Sequence, residues 1–280
     1  MKLVSLVIPF YNEEEMASLF FEKLFESLNE IKDYSFELVC VNDGSKDNTL
    51  SILKESQKKY KGIRIVDLSR NFGHEPAVAS GLSVAKGDLI IPMDADLQDP
   101  PHVIPMLLKK YEEGYEVVNA KRSVRKSDSF LKRNTAKLFY KINYKWSGKV
   151  KTPKDVGHFR LMTRKVLEKV LELNDVTRVL RVEVPFVGFK TATIEYTRPE
   201  REKGETHYNY KSMIDLASDA IISTSDKPLR MILKTTIVMF ISSVLASFIF
   251  LILFILHLCD VKMAIGPLGL IIYFILLFMI

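Results

Sequence analysis

The first hundred residues alternate between short apolar runs and longer stretches in which apolar residues recur every three or four positions. The runs have the length of strands, and the longer stretches have helical spacing, as at Met16, Phe20 and Leu24. The predicted strands cover residues 4–8, 36–41, 63–68 and 89–93, and the predicted helices cover residues 13–30, 47–60 and 75–85. This alternation favours an α/β fold of the doubly wound type, with a mostly parallel sheet covered on both faces.

Polar clusters stand at the point where each predicted strand ends. They are Tyr11-Asn12-Glu13, Asn42-Asp43, Arg70-Asn71 and Asp94-Ala95-Asp96. Ligands of open parallel sheets bind beyond the carboxyl ends of the strands. The sequence therefore predicts a ligand site at this edge of the sheet.

The end of the chain is almost wholly apolar. The run over residues 231–256 exceeds the roughly 20 residues that span a bilayer. A second run over residues 264–280 is interrupted by Gly266, Pro267 and Gly269, and we expect it to be cut short. The pattern predicts C-terminal transmembrane helices.

Basic residues precede the apolar run. Lys227, Arg230 and Lys234 flank its start, which predicts that this end lies in the cytoplasm. Residues 129–146 form a predicted basic amphipathic helix, either a solvated face over the core or a contact with anionic lipid. We recognise no cleavable signal peptide, so we expect a cytoplasmic main domain. The predicted organisation is a main domain over residues 1–210, an amphipathic juxtamembrane helix over residues 211–230 and two transmembrane segments over residues 231–280.

The composition narrows the classes of partner. The 280 residues carry a net charge of +6, which suits nucleic acid, an anionic membrane surface or an anionic substrate. We find no nucleic-acid-binding module, and the basic stretches lie just before the apolar tail, so we expect no nucleic-acid partner. Neither Cys40 nor Cys259 belongs to a CxxC motif, and we infer neither a zinc site nor a disulfide.

Asp94 and Asp96 carry the strongest chemical signal. Two carboxylates one residue apart at a strand end can reach the same hard cation, and Mg²⁺ and Mn²⁺ favour oxygen ligands and bridge to phosphates. Such an ion neutralises charge on a departing diphosphate. The alternative is a solvated acidic turn.

Asp43 stands at the end of another predicted strand and is followed by Gly44, which permits a tight turn. Its carboxylate either shapes that turn or accepts hydrogen bonds from a base or ribose. The segment Pro9-Phe10-Tyr11-Asn12-Glu13 offers an aromatic ring and polar groups that could hold a nucleotide. The chain contains neither a GxGxxG nor a P-loop motif, which disfavours dinucleotide and P-loop folds.

These motifs follow one another in a characteristic order. They are Val7-Ile8-Pro9-Phe10-Tyr11-Asn12-Glu13-Glu14, Val41-Asn42-Asp43-Gly44-Ser45, Ser69-Arg70-Asn71-Phe72-Gly73, Asp94-Ala95-Asp96-Leu97-Gln98-Asp99-Pro100, Gly157-His158-Phe159-Arg160-Leu161-Met162 and Arg198-Pro199-Glu200-Arg201. Over essentially the whole chain, they resemble the family 2 glycosyltransferases of the GT-A fold. Within that family the resemblance is to polyprenyl-phosphate glycosyltransferases, such as bactoprenol glucosyltransferases and, more distantly, dolichyl-phosphate mannose synthases.

The resemblance implies roles for particular residues. Nucleotide and donor binding would fall to Pro9, Tyr11, Asn12, Glu13, Asp43, Asp94 and Gln98, metal binding to Asp94 and Asp96, and phosphate binding to Arg122, Arg125, Arg198 and Arg201. The implied cofactor is Mg²⁺ or Mn²⁺. The implied donor is UDP-glucose, with other UDP-sugars or GDP-mannose as alternatives, and the implied acceptor is undecaprenyl phosphate. The implied location is the bacterial inner membrane, with several spans and a cytoplasmic catalytic domain. A homo-oligomer is left open.

The chain departs from the family pattern at three places. His158 stands where the family usually has the aspartate that acts as base, Arg181-Val182 where a basic residue is followed by glycine, and His207 where a lysine is usual. A lipid phosphate has a second pKa of about 6 and is mostly dianionic at pH 7. It therefore needs positioning more than proton removal. The catalytic candidates are His158, which could also be purely structural, Asp155 and Asp96.

The resemblance thus predicts an inverting, metal-dependent transfer of a sugar to a lipid phosphate. Two alternatives stay open. One is a family 2 enzyme with a sugar or protein acceptor. The other is a non-catalytic membrane protein that retains the fold, which the departure at His158 suggests.

Overall fold

The computed structural model describes residues 1–123, 156–173, 179–197 and 227–258. The chain divides into two compact units, Met1–Thr224 and Ser225–Ile280. Several predictions lie outside the described residues: the basic helix over residues 129–146, residues 211–226 of the juxtamembrane helix, the second apolar run over residues 264–280, and the site candidates Arg125, Asp155, Arg198 and Arg201.

Strands and helices alternate through the first unit. The strands are β1 (Lys2–Phe10), β2 (Tyr34–Asn42), β3 (Ile63–Asp67), β4 (Leu89–Pro92), β5 (Val117–Arg122), β6 (Val156–Thr163) and β7 (Thr191–Tyr196). The helices are α1 (Glu14–Asn29), α2 (Thr49–Lys59), α3 (His74–Val84), α4 (Ile104–Glu112), α5 (Arg164–Leu171) and α6 (Leu180–Phe186). Every element predicted in the first hundred residues is confirmed, with bounds that differ by at most two residues.

The strands form one seven-stranded sheet in the order β3-β2-β1-β4-β6-β5-β7. The pairings of β1 with β2 and β4, of β2 with β3, and of β5 with β7 are parallel. β6 is antiparallel to both of its neighbours, β4 and β5. The mostly parallel α/β sheet is therefore confirmed. The reversal of β6 has one further result: β6 begins at the edge where β4 and β5 end.

Apolar side chains pack against both faces of the sheet, as the alternation in β1 shows. Leu6 and Ile8 lie in the core layer that includes Phe20 of α1, whereas Val7 lies in the opposite layer with Val78 of α3. All these side chains are at most 1% exposed. Full burial of one such side chain contributes about 1.5–3 kcal/mol. The two layers hold the strands in register and so fix where the loops at the sheet edge begin.

The second unit contains the helix α7 (Lys227–Leu258). Its segment Leu229–Ile252 has 24 residues and a mean hydropathy of 2.3, so it is long and apolar enough to cross a membrane by length and composition. Its apolar side chains are largely exposed, for example Phe240 and Phe248. This helix overlaps the first predicted membrane segment.

Candidate active site

The predicted site residues that the structure describes lie together at one edge of the sheet. The loops that follow β1, β2 and β4 leave the sheet there, because these strands are parallel. β5 also ends there, at Arg122, and β6 begins there, with His158 as its third residue. The structure thus gathers the candidates from both halves of the first unit. His158, which stands where the family usually has an aspartate, therefore lies at the same edge as Asp94 and Asp96.

Backbone hydrogen bonds to side chains join the loops after β1 and β2. The Asn12 N–H donates to Ser45 Oγ at 3.1 Å, and the Lys46 N–H donates to Asn12 Oδ1 at 2.9 Å. The Glu13 N–H donates to Thr49 Oγ1 at 2.9 Å. Asn12 has a left-handed backbone with φ of 52°, which asparagine tolerates better than most residues. This segment, predicted to hold the nucleotide, is therefore fixed to the neighbouring loop.

The Asp43 carboxylate ties the loop after β2 to the loop after β3. Oδ1 accepts the Phe72 N–H at 2.8 Å, and Oδ2 accepts the Gly73 N–H at 3.0 Å. Asp43 is buried, and the following Gly44 has φ of 62°. A Cβ at Gly44 would lie 2.3 Å from the carbonyl carbon of Arg70, so only glycine fits this close approach. Asp43 shapes the turn, and each oxygen keeps a further lone pair for a ligand.

Asp94 and Asp96 lie in the tight turn directly after β4. Asp94 Oδ1 lies 2.8 Å from His74 Nε2. Asp96 Oδ1 accepts the Gln98 N–H at 3.0 Å, across a turn in which Leu97 has φ of 59°. Burial by itself would raise the pKa of Asp94, but the hydrogen bond and charge of His74 outweigh it and hold that pKa below its usual range. Asp94 is thus held in its ionised form.

Asp99 forms a second acidic centre behind that turn. It is fully buried, and its Oδ1 accepts the Tyr196 hydroxyl at 2.8 Å and lies 3.7 Å from a guanidinium nitrogen of Arg122. Asp99 Oδ2 accepts the Asp94 N–H at 3.3 Å. Burial and the charge of Asp94 raise the pKa of Asp99 to about 6. Arg122, predicted to bind phosphate, is therefore oriented by a carboxylate and a tyrosine of its own chain.

The two histidines at this edge face each other, each beside a carboxylate. His158 Nε2 lies 3.0 Å from Glu75 Oε1, and the rings of His74 and His158 are 4.8 Å apart between centroids. Burial lowers the pKa of His158, since it disfavours the charged ring. His158 is thus a neutral, anchored imidazole at neutral pH.

Four residues of this site were not singled out from the sequence. They are His74, Glu75, Asp99 and Tyr196. Asp99 was within a quoted motif, and His74 directly follows another, so motif position was a usable signal for both. Glu75 and Tyr196 gave no local signal, because their partners are distant in the chain. His158 lies 83 positions from Glu75, and Asp99 lies 97 positions from Tyr196. Arg181 and Val182, the second departure, lie in α6.

Comparisons with known proteins match this architecture. Residues 5–171 match the family model described as "Glycosyl transferase family 2". The chain is 41% identical over 244 residues to the bactoprenol glucosyl transferase of Shigella phage SfV, which covers 86% of this chain and 77% of that protein.

Solved structures resemble the same fold. Mannosyl-3-phosphoglycerate synthase from Rubrobacter xylanophilus aligns with a TM-score of 0.55 at 18% identity over 82% of this chain and 74% of its own. Glucosyl-3-phosphoglycerate synthase from Mycobacterium tuberculosis, crystallised with Mn²⁺, UDP and glucosyl-3-phosphoglycerate, aligns with a TM-score of 0.50 at 16% identity over 79% of this chain and 77% of its own. At these identities the likeness concerns the fold alone.

Proposed function

The chain belongs to glycosyl transferase family 2 and is a glycosyltransferase, and from this premise we propose that it transfers glucose from UDP-glucose to undecaprenyl phosphate. The observation that carries the proposal is the 41% identity to a bactoprenol glucosyl transferase over 86% of the chain. The site geometry supports it, because carboxylates, a neutral imidazole and a guanidinium group lie together at one sheet edge.

The donor is held by the loops after β1, β2 and β4. Pro9, Tyr11, Asn12, Glu13 and Asp43 contact the nucleotide, while Asp94, Asp96 and Gln98 serve the diphosphate. The carboxylates fit Mg²⁺ or Mn²⁺, because Asp94 is kept ionised and both aspartates supply hard oxygen atoms. When bound, the cation supplies positive charge that stabilises the departing diphosphate.

The acceptor phosphate is positioned rather than deprotonated. At pH 7 its second proton is already lost, since that pKa is about 6. A phosphate oxygen attacks the anomeric carbon, the bond from that carbon to the diphosphate oxygen breaks, and UDP leaves with the electron pair. His158, fixed by Glu75, orients the phosphate, and Arg122 with Arg125, Arg198 and Arg201 offers guanidinium forks to its oxygens. Asp155 is a second orienting candidate. The anomeric configuration inverts in this single displacement.

The enzyme works at the cytoplasmic face of a bacterial inner membrane. The exposed apolar segment of α7 and the basic Arg230 and Lys234 at its start support this placement. In our proposal residues 1–210 form the catalytic domain, residues 211–230 the juxtamembrane helix and residues 231–280 two spans. Reporter fusions should place the catalytic domain inside the cell. Recovery of the full chain in the soluble fraction without detergent would contradict the proposal.

The test is transfer from a panel of radiolabelled nucleotide sugars to undecaprenyl phosphate in membranes that contain the full chain. We expect labelled lipid with UDP-glucose, formed about 10²-fold or more slowly by membranes that carry Asp96→Asn. Labelling from another nucleotide sugar would correct the donor. Labelling of a sugar or protein, with none of the lipid, would refute the acceptor.

A further inference from the structure

His74, Glu75 and His158 form a compact cluster of metal-binding side chains. His74 and Glu75 begin α3, and His158 lies near the start of β6. Each residue offers one ligand atom, and these three atoms lie within 4.8 Å of one another. Two ligands of one zinc ion, each at about 2.1 Å, can be at most about 4.2 Å apart. Small side-chain rotations would therefore bring the three atoms onto a single ion.

Two polar atoms of the cluster have no hydrogen-bond partner among the described residues. They are Glu75 Oε2 and His158 Nδ1, and both are buried. His158 is only 4% exposed. Buried polar atoms without partners are rare in folded proteins. A cation bound to Glu75 would satisfy Oε2.

The contacts around the cluster orient both imidazole rings. His158 Nε2 lies 3.0 Å from Glu75 Oε1, a separation that two ligands of one ion can have, so Nε2 is the ring atom that faces the cluster. His74 Nε2 lies 2.8 Å from Asp94 Oδ1, outside the cluster. Histidines that bind metals typically donate their second ring N–H to a carboxylate or carbonyl in this way.

We propose that His74, Glu75 and His158 bind a borderline divalent cation such as Zn²⁺ or Co²⁺ at a site separate from the magnesium or manganese pair Asp94 and Asp96. Imidazole nitrogens suit Zn²⁺ and Co²⁺, whereas Mg²⁺ favours oxygen ligands alone. The positive charge of nearby Arg181 repels any cation. Binding therefore depends on strong coordination bonds from the two imidazole nitrogens. Arg160 donates to the carbonyls of Gly157 and Leu180, and Glu75 Oε2 has no hydrogen-bond partner among the described residues.

The test is direct binding of Co²⁺ and Zn²⁺ to the full chain in detergent, without a polyhistidine tag and stripped of metal beforehand. We expect one equivalent of Co²⁺ with visible ligand-field absorption, displaced by Zn²⁺ but not by a large excess of Mg²⁺. His158→Gln and His74→Gln should each abolish this absorption. His102→Gln should retain it, because His102 is an exposed histidine in the 3₁₀ turn Pro101–Val103. Asp96→Asn should retain it too.

Three results would overturn the proposal. One is the absence of stoichiometric Co²⁺ binding to the folded parent protein. Another is undiminished binding in both histidine variants of the cluster. The third is loss of binding in Asp96→Asn alone, which would assign the ion to the aspartate pair. Circular dichroism confirms that each variant is folded, and if one histidine variant fails to fold, the other decides. Binding is measured without turnover, so the outcome is independent of the donor and acceptor proposed above.

Discussion

The two halves of the site edge hold their polar side chains in different ways. In the framework half, formed by the loops after β1, β2 and β3, side chains accept hydrogen bonds from backbone N–H groups, as Asp43 does from Phe72 and Gly73. In the ionic half, formed by the turn after β4 with the start of α3, the end of β5 and the start of β6, carboxylates face ionisable side chains. Asp94 faces His74, and Glu75 faces His158.

This difference means that the framework half fixes the shape of the site, whereas the ionic half supplies its reactive groups. A carboxylate that binds backbone amides fixes a loop, and its removal leaves buried donors unsatisfied. A carboxylate paired with a side chain can exchange that partner for a cation or a phosphate with little change in the backbone. We therefore expect substitutions in the framework half to lower stability and substitutions in the ionic half to lower turnover.

The largest expected effect is on turnover, from Asp96→Asn in the ionic half. Loss of one negative ligand should lower the transfer rate by about 10²-fold or more, since metal charge stabilisation is worth several kcal/mol. The fold should survive, because an asparagine oxygen can still accept the Gln98 N–H. Initial rates and melting temperatures of the detergent-solubilised enzyme check both statements.

Asp88→Asn is the matched control for that substitution. Asp88 accepts the Leu3 N–H and lies at the opposite edge of the sheet, beside the first residue of β4. Its transfer rate should equal that of the parent. Full activity of the parent in metal-free buffer with a chelator would contradict the metal assignment.

The second effect is on stability, from Asp43→Ala in the framework half. Two partly buried N–H groups would lose a charged acceptor, which should lower the free energy of unfolding by about 3 kcal/mol. For a unit of this size that corresponds to roughly 6–12 °C in melting temperature. Asp43→Asn, which keeps one acceptor oxygen, should lose less. An unchanged melting temperature together with lost UDP binding would instead make Asp43 a ligand contact and remove the contrast between the halves.

His158→Ala should have a smaller effect on turnover. If the acceptor phosphate is already ionised and His158 only orients it, the loss should stay below the 10²–10⁴-fold typical of a general base. The acidic limb of the pH–rate profile should follow the phosphate, near pH ~6, in variant and parent alike. A folded variant that binds donor normally but transfers nothing would show that His158 is the base.

The smallest expected effect is on stability and comes from Asp47→Asn in the framework half. The Asp47 carboxylate accepts the Thr49 and Glu14 N–H groups at 3.0 and 3.1 Å. Burial by itself would raise the pKa of Asp47, but these hydrogen bonds outweigh it and lower that pKa. The stabilisation is therefore present above the unfolded pKa of about 3.9 and is lost as the pH falls through the lower folded value. Asp47→Asn should cost about 1 kcal/mol at pH 7.

Melting curves of parent and Asp47→Asn protein over a range of pH test this sign. The two melting temperatures should converge as the medium becomes strongly acidic. A difference that stays constant down to acid pH would mean that the charge of Asp47 contributes nothing.

The framework half was the more predictable of the two. The first strands and helices were found from periodicity, and their loops follow from the strand ends. Glycine at position 44 indicated a tight turn, which the structure contains. The ionic half was predicted only in part: Asp94, Asp96 and His158 were named, but Glu75, Asp99 and Tyr196 were not. Their partners are distant in the chain, and periodicity carries no information on such pairs.

The sequence by itself determined the α/β alternation, the apolar C-terminal helix and the family, because each is expressed in local patterns and in the order of motifs. Only the tertiary structure decided that β6 enters the sheet in reverse between β4 and β5. That placement sets His158 against Glu75. The order of strands depends on which apolar faces pack best in three dimensions, and an alternating pattern specifies a face without specifying its neighbour.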